Sequence, residues 1–350
     1  MKFLTHVLLI IGLLATAVTR AQEPKPASKT SSEQDVDTLT IDTNLVTVPV
    51  IASSRTGGYI ADLKKEEFKL TEDGVAQEIA FLASVDAPFY VVLMLDTSVS
   101  TKEKLALIQR AAMDFLEQIR PNDKVKVISF DGVLRSWDDF TSDKTILRSA
   151  ISKTRTSGGT RVYDAVRLAL DSLRPIQQRK AIVLFTDGVD SYSKRSSFES
   201  TVRDLDESGV IVYPIRYDTK FETEKMVRQQ VADANLGRLS RVPNLDKIGN
   251  PPTPNAKIPG MLDNAYLLAD SYLKKLADRS GGQLYRADTV ASLPQAFAAI
   301  AAELRTQYLL GYYPTNKNDN AAYRKIQVKT SRKDIAIRAR RGYRPKNQGR

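Results

Sequence analysis

The chain has 350 residues, with 52 Lys or Arg against 41 Asp or Glu and a net charge of +11. It contains no Cys and one His, His6, which excludes a disulfide framework. Past His6 it also excludes Ser-His-Asp and Cys-His catalysis and thiolate or imidazole zinc sites.

Met1 to Ala21 has the form of a secretory signal: Lys2, an apolar run from Val7 to Ala17, and Thr19-Arg20-Ala21 as the cleavage site. The run falls short of the roughly 18 residues of a membrane span, and nothing later is apolar enough to be one. The expectation is an exported protein, periplasmic or secreted, without a transmembrane segment in the mature chain. Residues 22–37 read as a flexible polar linker. Residues 38–86 alternate with period two, as in Leu45-Val46-Thr47-Val48-Pro49-Val50-Ile51, and carry turns at Thr56-Gly57-Gly58 and Glu72-Asp73-Gly74. These short strands are too few to enclose a core.

From Pro88 the pattern becomes strand–helix–strand. Val91 to Leu95 and Ala181 to Thr186 are unbroken apolar runs, the signature of strands buried on both faces. Helices are predicted over Lys104–Ile119, Asp143–Thr154, Tyr163–Leu173, Ser196–Ser208, Tyr266–Ser280 and Ser292–Thr306, and further strands over Val125–Phe130 and Val210–Tyr217. Gln283 to Tyr285 is expected as a short edge strand. Such alternation predicts a Rossmann-like, doubly wound α/β fold with a mostly parallel sheet over residues 87–307. Residues 219–262, with Pro243, Pro251, Pro252, Pro254 and Pro259, interrupt it and read as a long insertion loop. Strand grammar returns over 308–345 before a tail at 346–350. The N-terminal and C-terminal strands are expected to pair as one small β-sandwich.

Three segments concentrate oxygen ligands. Asp96-Thr97-Ser98-Val99-Ser100 and Thr186-Asp187-Gly188 each follow a buried strand, and Ser157-Gly158-Gly159-Thr160 precedes a helix. In an open α/β sheet, ligands bind beyond the carboxyl ends of the strands. Ser98, Ser100 and Thr160 offer neutral oxygens there, and Asp96 and Asp187 offer charge. Such a set suits a hard cation: Mg²⁺, with Mn²⁺ or Ca²⁺ as alternatives. Singly, each segment has a plainer reading as a turn or a helix cap. Asp164 is read as a helix-end or surface acid. Asp190 is read either that way or, with Ser191, as an outer support of the site.

Taken in order, the three segments resemble the metal-ion-dependent adhesion site of the von Willebrand factor type A domain, over about Pro88 to Thr306. Phe68-x-Leu-x-Glu-Asp-Gly, Gln307-Tyr308-x-Leu-Gly-Tyr-Tyr-Pro and Arg341-Gly342-Tyr343 extend the likeness to the secreted type A-related proteins of acidobacteria. The resemblance implies that Asp96, Ser98, Ser100 and Thr160 contact the ion, that Asp187 acts mainly through water, and that an acid from a ligand completes the shell. Val99 departs from the Gly or Ala often found between the two serines, and the insertion is longer than a minimal domain needs.

The expected function is therefore metal-dependent binding of a protein or glycan ligand presenting an acidic group. An enzyme is not expected: Leu95-Asp96-Thr97-Ser98 lacks the second Asp of a phosphotransferase, and no Gly-x-Ser-x-Gly is present. The alternative is a structural cell-envelope protein acting independently of metal through the sandwich and the basic C-terminus. Residues 321–350 hold eleven Lys or Arg against Asp334. They read either as a contact for an anionic envelope surface or as two solvated basic strands and a tail. Without base-stacking aromatics, nucleic acid is not an expected partner.

Overall fold

The computed structural model describes residues 45–83, 85–235, 258–287, 292–318 and 322–345. The signal segment, the linker, the final tail and the middle of the 219–262 segment lie outside these.

Four strands open the chain: β1 (Val46–Ser54), β2 (Phe68–Glu72), β3 (Val75–Gln77) and β4 (Ile79–Ala83). The α/β part follows with β5 (Phe89–Asp96), α1 (Leu105–Gln118), β6 (Lys124–Phe130), β7 (Leu134–Thr141), α2 (Lys144–Ser152), α3 (Val162–Leu173), β8 (Arg179–Thr186) and α4 (Phe198–Ser208). It continues through β9 (Ile211–Tyr217), α5 (Lys220–Asn235), α6 (Ile258–Ser280), β10 (Tyr285–Ala287) and α7 (Leu293–Thr306). The chain ends in β11 (Tyr308–Tyr312), β12 (Arg324–Thr330), β13 (Ile335–Ala339) and β14 (Gly342–Tyr343).

Six strands form the central sheet in the order β10-β9-β8-β5-β6-β7, parallel except for β7. Strand alternation divides β5 between two cores. Val91, Leu93 and Leu95 pack with α1, α2 and α7, whereas Val92 and Met94 pack with α3, α4 and α6. Burial on both faces explains why the apolar run is unbroken. Strand order reverses between β5 and β8, so the loops after these strands flank the crevice of a doubly wound sheet.

The two ends of the chain interleave in two four-stranded antiparallel sheets, β13-β1-β11-β4 and β14-β12-β2-β3. Val48, Val50 and Leu310 from one sheet share a core with Leu70, Ile326 and Val328 from the other. Each sheet takes strands from both ends, so neither end closes a core alone. Buried Arg179 joins this sandwich to the α/β part. It donates to the carbonyls of Leu304 (3.0 Å) and Gln307 (2.9 Å), where the chain leaves α7, and of Ala87, where it enters β5.

Three expectations are corrected. The 219–262 segment is not a loop throughout: residues 220–235 form α5, and α6 begins at Ile258. Of residues 220–229 only Val227 is fully buried, so α5 carries little apolar periodicity, although Lys, Glu, Met and Gln favour helix. β7 was not anticipated because it is an edge strand with two adjacent acids, Asp138-Asp139, and a bulge against β6. The basic C-terminal strands are not simply solvated. Arg324 pairs with buried Glu72 (3.1 Å), Arg332 with Glu67 (2.9 Å) and Asp62 (2.8 Å), and Arg338 with buried Glu303 (2.5 Å). Arg340 is buried against the Tyr343 ring. Among the described residues no helix is long and apolar enough to cross a membrane.

Candidate metal centre

The site is built where β5 and β8 end. Asp96, the last residue of β5, is fully buried and held at both oxygens: Oδ1 accepts from Ser98 N (2.9 Å) and Oδ2 from Thr186 Oγ1 (2.6 Å). The first bond is an Asx turn that bends the chain sharply after the strand. It sets the Ser98 and Ser100 hydroxyls 3.0 Å apart. Ser100 Oγ then donates to Asp187 Oδ2 at 3.3 Å, while Val189 N donates to Asp187 Oδ1 at 2.9 Å. Asp96, Ser98, Ser100 and Asp187 thus form one continuous group, with Ser100 at its solvent side.

Thr160 joins the group through its loop. Ser157 N donates to Thr97 O (3.1 Å), and Ser98 and Ser157 form a parallel bridge. Thr160 N donates to Ser191 Oγ (3.1 Å), and Thr160 O accepts from the backbone of Ser191 and Tyr192. Ser191 is therefore a direct support of Thr160. Asp190 accepts from Ser193 Oγ (2.6 Å) and Tyr163 N (3.3 Å), and Asp164 from Lys194 N and Arg195 N (both 3.0 Å). Both acids lace the start of α3 to this loop. Two glycines permit the close approach. A Cβ on Gly132 would lie 2.3 Å from Gly158 O, and one on Gly159, whose φ is +79°, would lie 2.3 Å from the Tyr192 ring.

Several contributors were not singled out from sequence. Buried Asp131, just beyond β6, accepts from Thr97 Oγ1 (3.0 Å), Ser157 Oγ (2.8 Å) and Arg135 Nη1 (2.8 Å), tying the first two loops together. Thr186 steers Asp96, as described. Fully buried Thr219 donates from Oγ1 to Asp187 Oδ2. Tyr217 stacks on Phe185 with centroids 4.3 Å apart, and its hydroxyl is buried without a hydrogen-bond partner.

The site holds a buried acid pair opposed by little positive charge: Arg216, itself paired with Asp270, acts on Asp187 without a salt bridge to it. Burial, reinforced by the charge of Asp187, pushes Asp96 up from 3.8 to about 7, and burial raises Asp187 as well. The same acids, added to burial, raise Tyr217. Among the described residues neither Asp96 nor Asp187 forms a salt bridge, and no group of three or more His, Cys, Asp or Glu is placed to hold a metal. Any cation held here would draw on two carboxylates and on hydroxyls. Buried carboxylates without a salt-bridge partner are costly, and an all-oxygen donor set matches a hard divalent ion. The residues present therefore fit such an ion, and the orphaned Tyr217 hydroxyl marks the same region as short of a polar partner.

Residues 91–189 match the family model of the von Willebrand factor type A domain. No curated protein matches the sequence. Solved structures similar to this chain include a von Willebrand factor type A protein from Catenulispora acidiphila, at 9% identity over 84% of this chain and 71% of that one, with a TM-score of 0.45. Another is proximal thread matrix protein 1 of the mussel byssus with a zinc-occupied MIDAS motif, at 14% identity over 67% and 49%, TM-score 0.45. A third is an aerotolerance-related membrane protein from Bacteroides fragilis, at 19% identity over 62% and 98%, TM-score 0.41.

Proposed function

We propose that this chain, organised around a von Willebrand factor type A-like domain, is an exported interaction protein rather than an enzyme. In this reading it binds an acid-bearing protein or glycan through a divalent cation held by Asp96, Ser98, Ser100, Thr160 and Asp187. The observation that carries the reading is the buried, unpaired Asp96–Asp187 pair beneath hydroxyls that reach solvent at Ser100. Ser98, Ser100 and Thr160 are neutral, and with Asp187 acting mainly through water the ion keeps positive charge to offer. When bound, the ion supplies electrostatic attraction for a carboxylate arriving from outside. Mg²⁺ is the expected ion, with Mn²⁺ and Ca²⁺ as alternatives of the same oxygen preference.

Neighbouring surface suits a macromolecular ligand. Val99 lies between the two serines, Val133 follows the Gly132 contact with the Gly158 loop, and Phe221 follows Thr219 by two residues. They are 39%, 50% and 76% exposed. Export rests on the segment Met1–Ala21. The alternative of a metal-independent envelope component binding through the basic C-terminus has less support, because Arg324, Arg332, Arg338 and Arg340 are engaged within the protein.

The test is capture from envelope and secreted fractions with the immobilised protein, in Mg²⁺ and in EDTA. A ligand retained in Mg²⁺ and released by EDTA is the expected result. Equal retention in both would sink the metal-dependent reading and turn attention to the sandwich.

A further inference from the structure

A chain of hydroxyls reaches Asp187 from α5 and α6, ending on Oδ2, the oxygen that also accepts from Ser100. Thr219 Oγ1 donates to Asp187 Oδ2. The Tyr266 hydroxyl lies 2.9 Å from Thr219 Oγ1 and 2.9 Å from Thr223 Oγ1. Each hydroxyl carries one proton, and a carboxylate only accepts. Thr219 uses its proton on Asp187, so Tyr266 must donate to Thr219. Tyr266 has then used its own, so Thr223 must donate to Tyr266. Three O–H dipoles therefore run head to tail and end on one oxygen of Asp187. Hydrogen bonds aligned in this way polarise and strengthen one another.

The chain is built into the fold. Thr219 is fully buried and Tyr266 is 6% exposed. Thr219 immediately precedes α5, whose first turn it closes by accepting from Thr223 N at 2.9 Å, and Tyr266 lies on α6. Lys104, just after the first adhesion loop, donates to Asp218 O (2.9 Å) and pairs with Glu222 (2.8 Å). Lys220 pairs with Asp263 across α5 and α6. α5 is thus fastened to α6 by one pair and, through Lys104, to the segment that carries Ser98 and Ser100. Meanwhile Val189 N fixes the other oxygen of Asp187.

We propose that Tyr266 and Thr223 are positioning residues for the metal centre, acting through Thr219 to fix the orientation of Asp187. The inference rests on the metal-site reading above. Its consequence is that α5 and α6, which flank residues 236–257 in sequence, set the affinity of the site for its ion. Groups bonded to a metal's immediate partners commonly change affinity by about 10- to 100-fold when removed.

The experiment is calorimetric titration of Mg²⁺ into the full-length protein and into Tyr266→Phe, Thr219→Val and Thr219→Ser, with melting in EDTA as a check on folding. Tyr266→Phe and Thr219→Val are expected to bind Mg²⁺ about tenfold more weakly. Thr219→Ser keeps the hydroxyl and is expected to bind within about twofold of wild type. If Tyr266→Phe does not fold, the contrast between Thr223→Val, expected to bind more weakly, and Thr223→Ser, expected to bind as wild type, decides. Unchanged affinity in the folded variants that lack a hydroxyl, or equal loss in Thr219→Ser and Thr219→Val, would overturn the relay while leaving the metal site standing. A wild-type protein that takes up no Mg²⁺ would overturn the site itself and the relay with it.

Discussion

Mg²⁺ is expected to raise the melting temperature of the wild-type protein, and Asp96→Ala to abolish that rise. Ligand that binds only the native state stabilises it by about 2.7 kcal/mol at a hundredfold excess over Kd. For a chain of this size that corresponds to a rise of roughly 4 °C. Asp96 is the charged residue most deeply committed to the site, fully buried and aimed by Ser98 N and Thr186 Oγ1. Its methyl replacement leaves the ion a single carboxylate. Asp171→Ala, on the exposed side of α3 in surface ion pairs, should keep the full rise. In EDTA the pH dependence has a definite sign. Asp96 titrates at about 7 in the fold against 3.8 as its ordinary value, so the folded state binds its proton more tightly. That contribution is fully present below pH 3.8 and is lost as pH climbs through about 7. Metal-free wild type is therefore expected to lose melting temperature relative to Asp96→Ala over that window. Parallel pH curves, or a Mg²⁺ response surviving in Asp96→Ala, would contradict the assignment.

Arg179→Met is expected to be the most damaging single change away from the site, costing at least about 3 kcal/mol. Burial lowers the Arg179 guanidinium to about 10, so it remains charged at neutral pH. Its Nη1 and Nη2 donors serve the carbonyls of Ala87, Leu304 and Gln307. Met fills similar volume but donates nothing, and each buried carbonyl left without a partner costs roughly 1–3 kcal/mol. Because those carbonyls lie at both chain crossings between sandwich and α/β part, the loss should loosen the two together. A melting temperature lower by about 4 °C or more is expected. A fall of less than about 2 °C would mean that water replaces the guanidinium readily.

Features with a local cause were legible in the sequence. The buried strands β5 and β8 appear as unbroken apolar runs because helices cover both faces of the sheet. The Asp96–Ser100 turn is encoded within five consecutive residues. The pairing of the two chain ends was readable because neither end has strands enough for a core. What was missed depends on contacts between distant single residues. Thr97 meets Asp131 34 positions away, Thr186 meets Asp96 across 90, and Thr219 meets Tyr266 across 47. A lone Thr or Tyr carries no pattern that announces such a partner. α5 resembles loop in the sequence for a related reason: it buries little of its surface, so its helical period is faint beside the prolines that follow it.

The most direct measurement of the central claim is anomalous diffraction from crystals of the full-length protein grown in Mn²⁺. A peak is expected within bonding distance of the Ser98 and Ser100 hydroxyls, between the loops after β5 and β8, and is expected to disappear in Asp96→Ala crystals. Absence of a peak from that position in Mn²⁺-saturated wild-type crystals, or its persistence in the variant, would contradict it.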